Sequence, residues 1–173
     1  GFFDGVLLME LVCDRDGNVA PRLAEVELTP DDAAAFHRTL IGEVVRMLCA
    51  GLVHGDLSEF NILVDAHGPV IIDLPQAVDA ARNNHAKRML ERDVANLADY
   101  LGQFAPGLLG TDFGNEIWAH YEAGTLTPET PLTGEFAQPT ELADVEAVLK
   151  EIEDVRAEAM RRQEWLAAEQ AEQ

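Results

Sequence analysis

Lysine is nearly absent from this chain: Lys87 and Lys150 are its two lysines, and all basic residues number 12 against 32 acidic ones, a formal net charge of −20. A surface so negative excludes a broad nucleic-acid interface, which draws its affinity from Lys and Arg on phosphates. Cysteine is equally scarce. Cys13 and Cys49 sit in no metal-ligand spacing and are too few for a disulfide framework, so a reduced, cytoplasmic setting is expected. No apolar run approaches the roughly 18 residues of a membrane span, which excludes a spanning segment, and no secretory signal is visible. What the chain does have is apolar bulk: 47% hydrophobic residues over 173 positions suffice for one domain with its own core.

The chemistry is concentrated in one stretch, His54-Gly55-Asp56-Leu57-Ser58-Glu59-Phe60-Asn61, and in the run Val70-Ile71-Ile72-Asp73-Leu74-Pro75-Gln76 that follows it. Asp56 lies five residues ahead of Asn61, on a loop entering the apolar strand Ile62-Leu63-Val64. That spacing offers a carboxylate to an attacking hydroxyl or water, and an amide to a metal ion. Asp73 closes the next apolar strand and supplies a charged oxygen for Mg²⁺ on nucleotide phosphates. Asp, Asn and Gly are also common turn formers. Here, however, Asp65-Ala66-His67-Gly68 already closes the hairpin between the two strands, so the trio is not needed as turn residues. Spacing and context together match the catalytic and metal loops of kinase-like folds, where positioning and charge neutralisation do most of the work.

Other signals are structural. Asp14, Asp16, Asn18 and Glu25 have some of the spacing of a calcium loop, but Val19 and Pro21 stand where such a loop needs glycine and strand pairing, so the stretch reads as a turn. Thr29 followed by Pro30, Asp31 and Asp32 reads as the capped start of a helix whose apolar face is Ala35, Leu40, Ile41, Val44, Val45 and Leu48, ending near Gly51. Further helices are expected over about 84–102 and 112–122, then a Thr/Pro/Gly-rich loop over 124–139 and a long charged helix beyond it. His54 reads as a packed residue that fixes the loop backbone. His37, His67, His85 and His120 are expected to be solvated or half-buried, and for Arg92 and Asp93 two readings are open, pairing with the loops above their helix and, as the favoured one, a solvated helix face.

The residues around the trio carry a resemblance. Ordinary protein kinases have Lys two residues after the catalytic Asp, where this chain has Ser58, in the Ser-Glu-Phe-Asn form of the RIO family of atypical protein kinases. Asp73-Leu74-Pro75-Gln76 is similar to the RIO metal loop rather than to Asp-Phe-Gly, and Leu90 to Leu97 is similar to the helix that follows it directly in RIO proteins, with no Ala-Pro-Glu stretch between. The chain resembles the bacterial branch of that family from about Val6 to Tyr121. The resemblance implies an α+β fold: a kinase-like C-terminal lobe, mainly helical, with short β-hairpins at the catalytic and metal loops. It divides the chain into a linking strand over 1–12, the lobe over 13–138 and a charged helix over 139–173. An N-terminal lobe that covers and anchors the phosphates is expected to be missing.

By the same resemblance the activity is ATP-dependent serine phosphorylation, autophosphorylation or ATP hydrolysis. Asp56 is the catalytic residue, Asn61 and Asp73 hold Mg²⁺ or Mn²⁺, and Asp73 is also a candidate phosphoacceptor. ATP lies along Met9, Glu10 and Val12 with Leu63 and Ile72 as its floor. Partners would include the N-terminal lobe and a protein substrate or ribosome-related assembly. Two other readings stay open: a small-molecule phosphotransferase of the aminoglycoside or choline kinase type, which shares the His-Gly-Asp opening but usually carries His-Pro-Gly-Asn and lacks Pro-Gln after the metal Asp, and an ATP-gated assembly factor.

Overall fold

A computed structural model describes residues 2–7 and 10–136, with the backbone alone for Phe2, Phe3, Val6 and Leu7. The chain divides into two units, Gly1–Phe136 and Ala137–Gln173; the charged helix expected over 139–173 lies outside the described residues.

Asp4 and Gly5 both adopt positive φ (46° and 83°), the backbone of a tight two-residue hairpin that pairs β1 (Phe2–Phe3) antiparallel with β2 (Val6–Leu7). Of the linking strand expected over 1–12, Val6–Leu7 is thus the second arm of a hairpin. Glu10 and Leu11 are solvent-exposed coil, unpaired with any strand among the described residues. A turn at Asp14–Asn18 follows, its backbone N–H groups at Asp16 and Asn18 both bonded to the Asp14 carboxylate at 2.9 Å.

Helix α1 (Pro30–Cys49) begins as its sequence dictates: Thr29 accepts the Asp32 N–H, Pro30 occupies the first turn, and Asp31 and Asp32 face the positive helix end. Its buried stripe is Ala33, His37, Leu40, Ile41, Val44, Val45 and Leu48, the helical period counted from Ala33. Ala35 lies off that stripe and is half-buried, and His37, expected to be solvated or half-buried, is 2% exposed against Phe113 at 5.3 Å between ring centroids. Helix α2 (Ala86–Gly102) and helix α3 (Phe113–Glu122, capped by the Asp112 carboxylate) pack with α1 around Leu40, Leu48, Leu90, Leu97, Leu101 and Ile117. On α3 the buried Glu116 carboxylate accepts the N–H groups of Thr133 and Gly134 and the Thr133 hydroxyl at 2.8–3.0 Å. It thereby ties down a stretch that, as expected, has no helix or strand from Gly124 to Phe136.

Four short strands frame the polar loops. β3 (Leu52–Val53) pairs antiparallel with β6 (Val78–Asp79), and β4 (Ile62–Val64) with β5 (Pro69–Ile71). The β4–β5 turn is the one read from the sequence: Asp65 Oδ1 accepts the N–H groups of His67 and Gly68 at 2.6 and 2.8 Å, which holds its pKa below the usual carboxylate value. The β3–β6 pairing was not foreseen, because two-residue strands carry no readable alternation. The described unit is thus α+β, with three helices and small antiparallel sheets. No described helix is long and apolar enough to cross a membrane.

Candidate active site

The loop leaving β3 alternates in burial. His54 and Gly55 are buried, Asp56 is exposed, and Leu57 is fully buried. Burying a leucine is worth about 1.5–3 kcal/mol, so Leu57 nails the loop to the core directly beside the carboxylate. His54 fastens it from the other side: one ring nitrogen, Nδ1, accepts the Asp56 N–H at 3.3 Å, which leaves Nε2 to donate to Ile72 O at 3.0 Å. The histidine read from the sequence as a packed loop anchor occupies that place.

The strongest anchor is the less favoured of the two sequence readings, pairing of Asp93 with the loop above its helix. Asp93 of α2 is 1% exposed and accepts two N–H groups of the loop, from Gly55 at 2.7 Å and Leu57 at 3.1 Å. Arg92 donates to Gly55 O, and Asn96 donates to Leu57 O at 3.0 Å. One face of α2 therefore satisfies the backbone on both sides of Asp56, and the expectation that Arg92 and Asp93 lie on a solvated face is corrected for Asp93. Burial pushes the Asp93 carboxyl above its ordinary pKa, against the pull of the Leu57 and Gly55 N–H groups and of His54 and Arg92. A sequence signal existed: Asp93 falls three residues after Leu90 and four before Leu97, inside the apolar stripe of its helix. Gly55 itself has φ +82°, and a side chain there would meet Met89 Cε at 2.5 Å and Gln76 O at 3.3 Å, so the close approach of α2 and the second loop requires glycine.

Asn61 and Asp73 are brought together by strand register. Ile62 faces Ile71, and Ile72 donates its N–H to Asn61 O at 2.9 Å, extending the β4–β5 pairing by one step. Asp73 follows at once, so the two lie at the same end of the hairpin. Asn61 Nδ2 donates to Asp56 O at 2.8 Å, which fixes the amide orientation and leaves its Oδ1 as the unengaged acceptor. Asp73 adopts φ 67°, ψ 58°, a left-handed conformation that a non-glycine residue takes at a cost, and it is exposed. An amide oxygen and a carboxylate form an all-oxygen set, which suits Mg²⁺ or Mn²⁺ shared with phosphate oxygens.

The residues expected to meet a nucleotide are placed unevenly. Side chains at 61, 63, 70 and 72 share one face of the β4–β5 hairpin, opposite the face on which Ile62 is fully buried. Leu63 and Ile72 are half-buried there, on the same side as Asn61. Glu10 is exposed, and Val12 is half-buried with its carbonyl accepting the Ala20 N–H at 2.9 Å; Met9 lies outside the described residues. A groove of about 390 Å³ between α1 and the β5 strand, lined by Glu43, Met47, Leu52, Pro69, Ile71 and Leu74 and reaching Val70, includes the residue after Asp73.

An exposed Asp on a loop clamped by a buried Asp, followed by an Asn and a left-handed Asp at one end of a hairpin, is compatible with a kinase-like domain. The RIO domain profile matches residues 1–111, and the chain belongs to the RIO family. Among its relatives are the RIO-type serine/threonine-protein kinase Rio1 of Haloferax volcanii, 43% identical over 96 residues that make up 55% of this chain and 31% of that protein, and Rio1 of Thermoplasma acidophilum, 38% identical over 101 residues, 58% of this chain and 50% of that one. The RIO-type serine/threonine-protein kinase Rio2 of Methanocaldococcus jannaschii is 46% identical over 66 residues, 38% of this chain and 24% of its own. The chain thus spans half or less of the length of these relatives. The family is one of serine/threonine-protein kinases.

Proposed function

We propose that this chain carries the phosphate-handling half of an ATP-dependent serine phosphotransferase of RIO type. The observation that supports this most is the convergence at one hairpin end of an exposed Asp56, Asn61 with its Oδ1 free, and Asp73. Asn61 Oδ1 and the Asp73 carboxylate hold Mg²⁺ or Mn²⁺, which when bound neutralises charge on the phosphates. Asp56 orients the acceptor hydroxyl and takes its proton late, as suits a carboxylate serving a loose transition state. Leu63 and Ile72 form the apolar floor for adenine, and the Glu10 and Val12 backbone its hydrogen-bonding edge. Asp73 is in addition a candidate phosphoacceptor. Phe60 and Leu74 stand exposed next to Asn61 and Asp73 in the chain, and an N-terminal lobe is the partner proposed to cover them.

A second reading, an ATP-gated assembly factor whose turnover times its release from partners, draws on one observation. Only residues 77–85 connect the turn after Asp73 to α2, which leaves little chain for a peptide-docking segment. Measuring phosphate release beside phosphoprotein formation, in the protein with its flanking sequence, separates the two. The kinase reading expects label on serine; rapid phosphate release with little phosphoprotein would defeat it. In the same assay Asn61→Ala should raise the Mg²⁺ concentration needed for half-maximal rate, and an unmoved titration would remove Asn61 from the metal site.

A further inference from the structure

The Asp56 carboxylate has one side-chain partner among the described residues: Gln76 Nε2, 3.5 Å from its Oδ2. No cation among the described residues pairs with it. Arg92, whose position on α2 is near enough to serve the same loop, donates to Gly55 O and stands 3.9 Å from Asp93 instead. Gln76 comes from the second loop, three residues past Asp73, in the single 3-10 turn Leu74–Gln76, which Pro75 stiffens and the Ala77 N–H closes on Leu74 O at 2.9 Å. Its backbone is seated as well. Gln76 O lies against Gly55, at 3.3 Å from where a Cβ would be, so the two loops touch through main chain before the side chain reaches across.

From this geometry we infer that Gln76 is a positioning residue, which acts through Asp56: its amide holds Oδ2 so that Oδ1 is the oxygen presented to the acceptor, and it couples the placement of Asp73 to that of Asp56. A neutral donor suits the task. It restricts rotation of the carboxylate without cancelling the negative charge that must receive a proton, as an ammonium or guanidinium would. At 3.5 Å the contact is a long hydrogen bond, and catalytic hydrogen bonds tighten when substrate binds. Leu74 and Pro75 bring no such donor, and among the described residues Gln76, not Ser58 two residues after Asp56, is the one that bonds the carboxylate.

The inference rests on the phosphotransferase reading, and the test separates the two. In the protein with its flanking sequence, Gln76→Leu keeps the side-chain volume and removes the donor; it should lower kcat about 10-fold, the scale of one hydrogen bond to a charged group, and leave KM for ATP and the melting temperature unchanged. Gln76→Glu sets a carboxylate against a carboxylate and should lower kcat further. Gln76 is exposed, so neither variant threatens the fold. Independently of activity, the side-chain amide signal of Gln76 in a ¹⁵N-correlated NMR spectrum of the 173-residue chain should shift on Asp56→Ala. A Gln76→Leu protein with wild-type kcat, or an amide signal indifferent to Asp56→Ala, would overturn the inference. A wild-type protein that turned over no ATP would defeat the functional reading and the catalytic meaning of Gln76 with it, while the amide signal would still report whether the loops are joined.

Discussion

Replacing Asp93 by alanine should damage this protein more than any change at the exposed trio. The side chain is buried and accepts the N–H groups of Gly55 and Leu57, which are themselves buried. Alanine leaves both donors without an acceptor, and an orphaned buried N–H costs about 1–3 kcal/mol. Removing a carboxylate whose own burial is unfavourable, as its raised pKa indicates, returns part of that. A net loss of about 3 kcal/mol is expected. Asn at this position keeps one acceptor and turns the other atom into a donor facing an N–H, so Asp93→Asn should cost about half as much. Urea unfolding at neutral pH gives the energies, and amide hydrogen exchange gives the location: protection should fall first at Gly55 and Leu57. Because a 1 Å misplacement of a catalytic group can cost roughly 10²-fold, turnover should drop by about that much even in molecules that remain folded. A loss below about 1 kcal/mol with unchanged exchange at those two amides would refute the clamp.

Two further substitutions probe the packing behind the site. His37 is buried with its Nε2 unpartnered, and burial, aided by the charge of Arg38, lowers its pKa below 6.5. The unfolded chain therefore binds more protons below pH 6.5, and this group's share of stability falls as the pH drops below that value, by at most about 1.4 kcal/mol per unit. His37→Phe, which keeps an aromatic ring on Phe113, should flatten that part of the stability–pH curve; an unchanged curve would assign the slope elsewhere. Gly55→Ala puts a methyl group 2.5 Å from Met89 Cε at φ +82° and should cost about 1–2 kcal/mol in unfolding experiments, with turnover lowered as well. Near-neutral behaviour in both respects would mean that the loop and α2 can separate freely.

What could be read from the sequence was local. The spacing of Asp56, Asn61 and Asp73, the Asp65–Gly68 turn, the Thr29 cap and the three helices are each written within a few residues of the chain, where propensity and period act. What escaped was long-range or very short. Asp93 reaches a loop 36–38 residues away, a pairing open to the sequence but ranked second because a charged residue on a helix is ordinarily taken to face water. His37 was misjudged for the same reason, by its type rather than by its place in the α1 stripe. The β3–β6 ladder is two residues long, and the Glu116 clamp depends on N–H groups 17 and 18 residues onward, for which no periodic pattern exists. The link from Gln76 to Asp56 spans 20 residues and became visible only when the two loops met at Gly55.

The central claim is that Asp56, Asn61 and Asp73 form one phosphoryl-transfer site, and the metal-dependent ATP turnover of Asp73→Ala beside wild type, in the protein with its flanking sequence, tests it most directly. Asp73 is exposed and outside the core, so the variant should melt like wild type, while loss of a charge partner to the phosphates should cut the rate by roughly 10²- to 10³-fold. An Asp73→Ala protein that retained near-normal turnover with an unaltered Mg²⁺ requirement would contradict the assignment of the site.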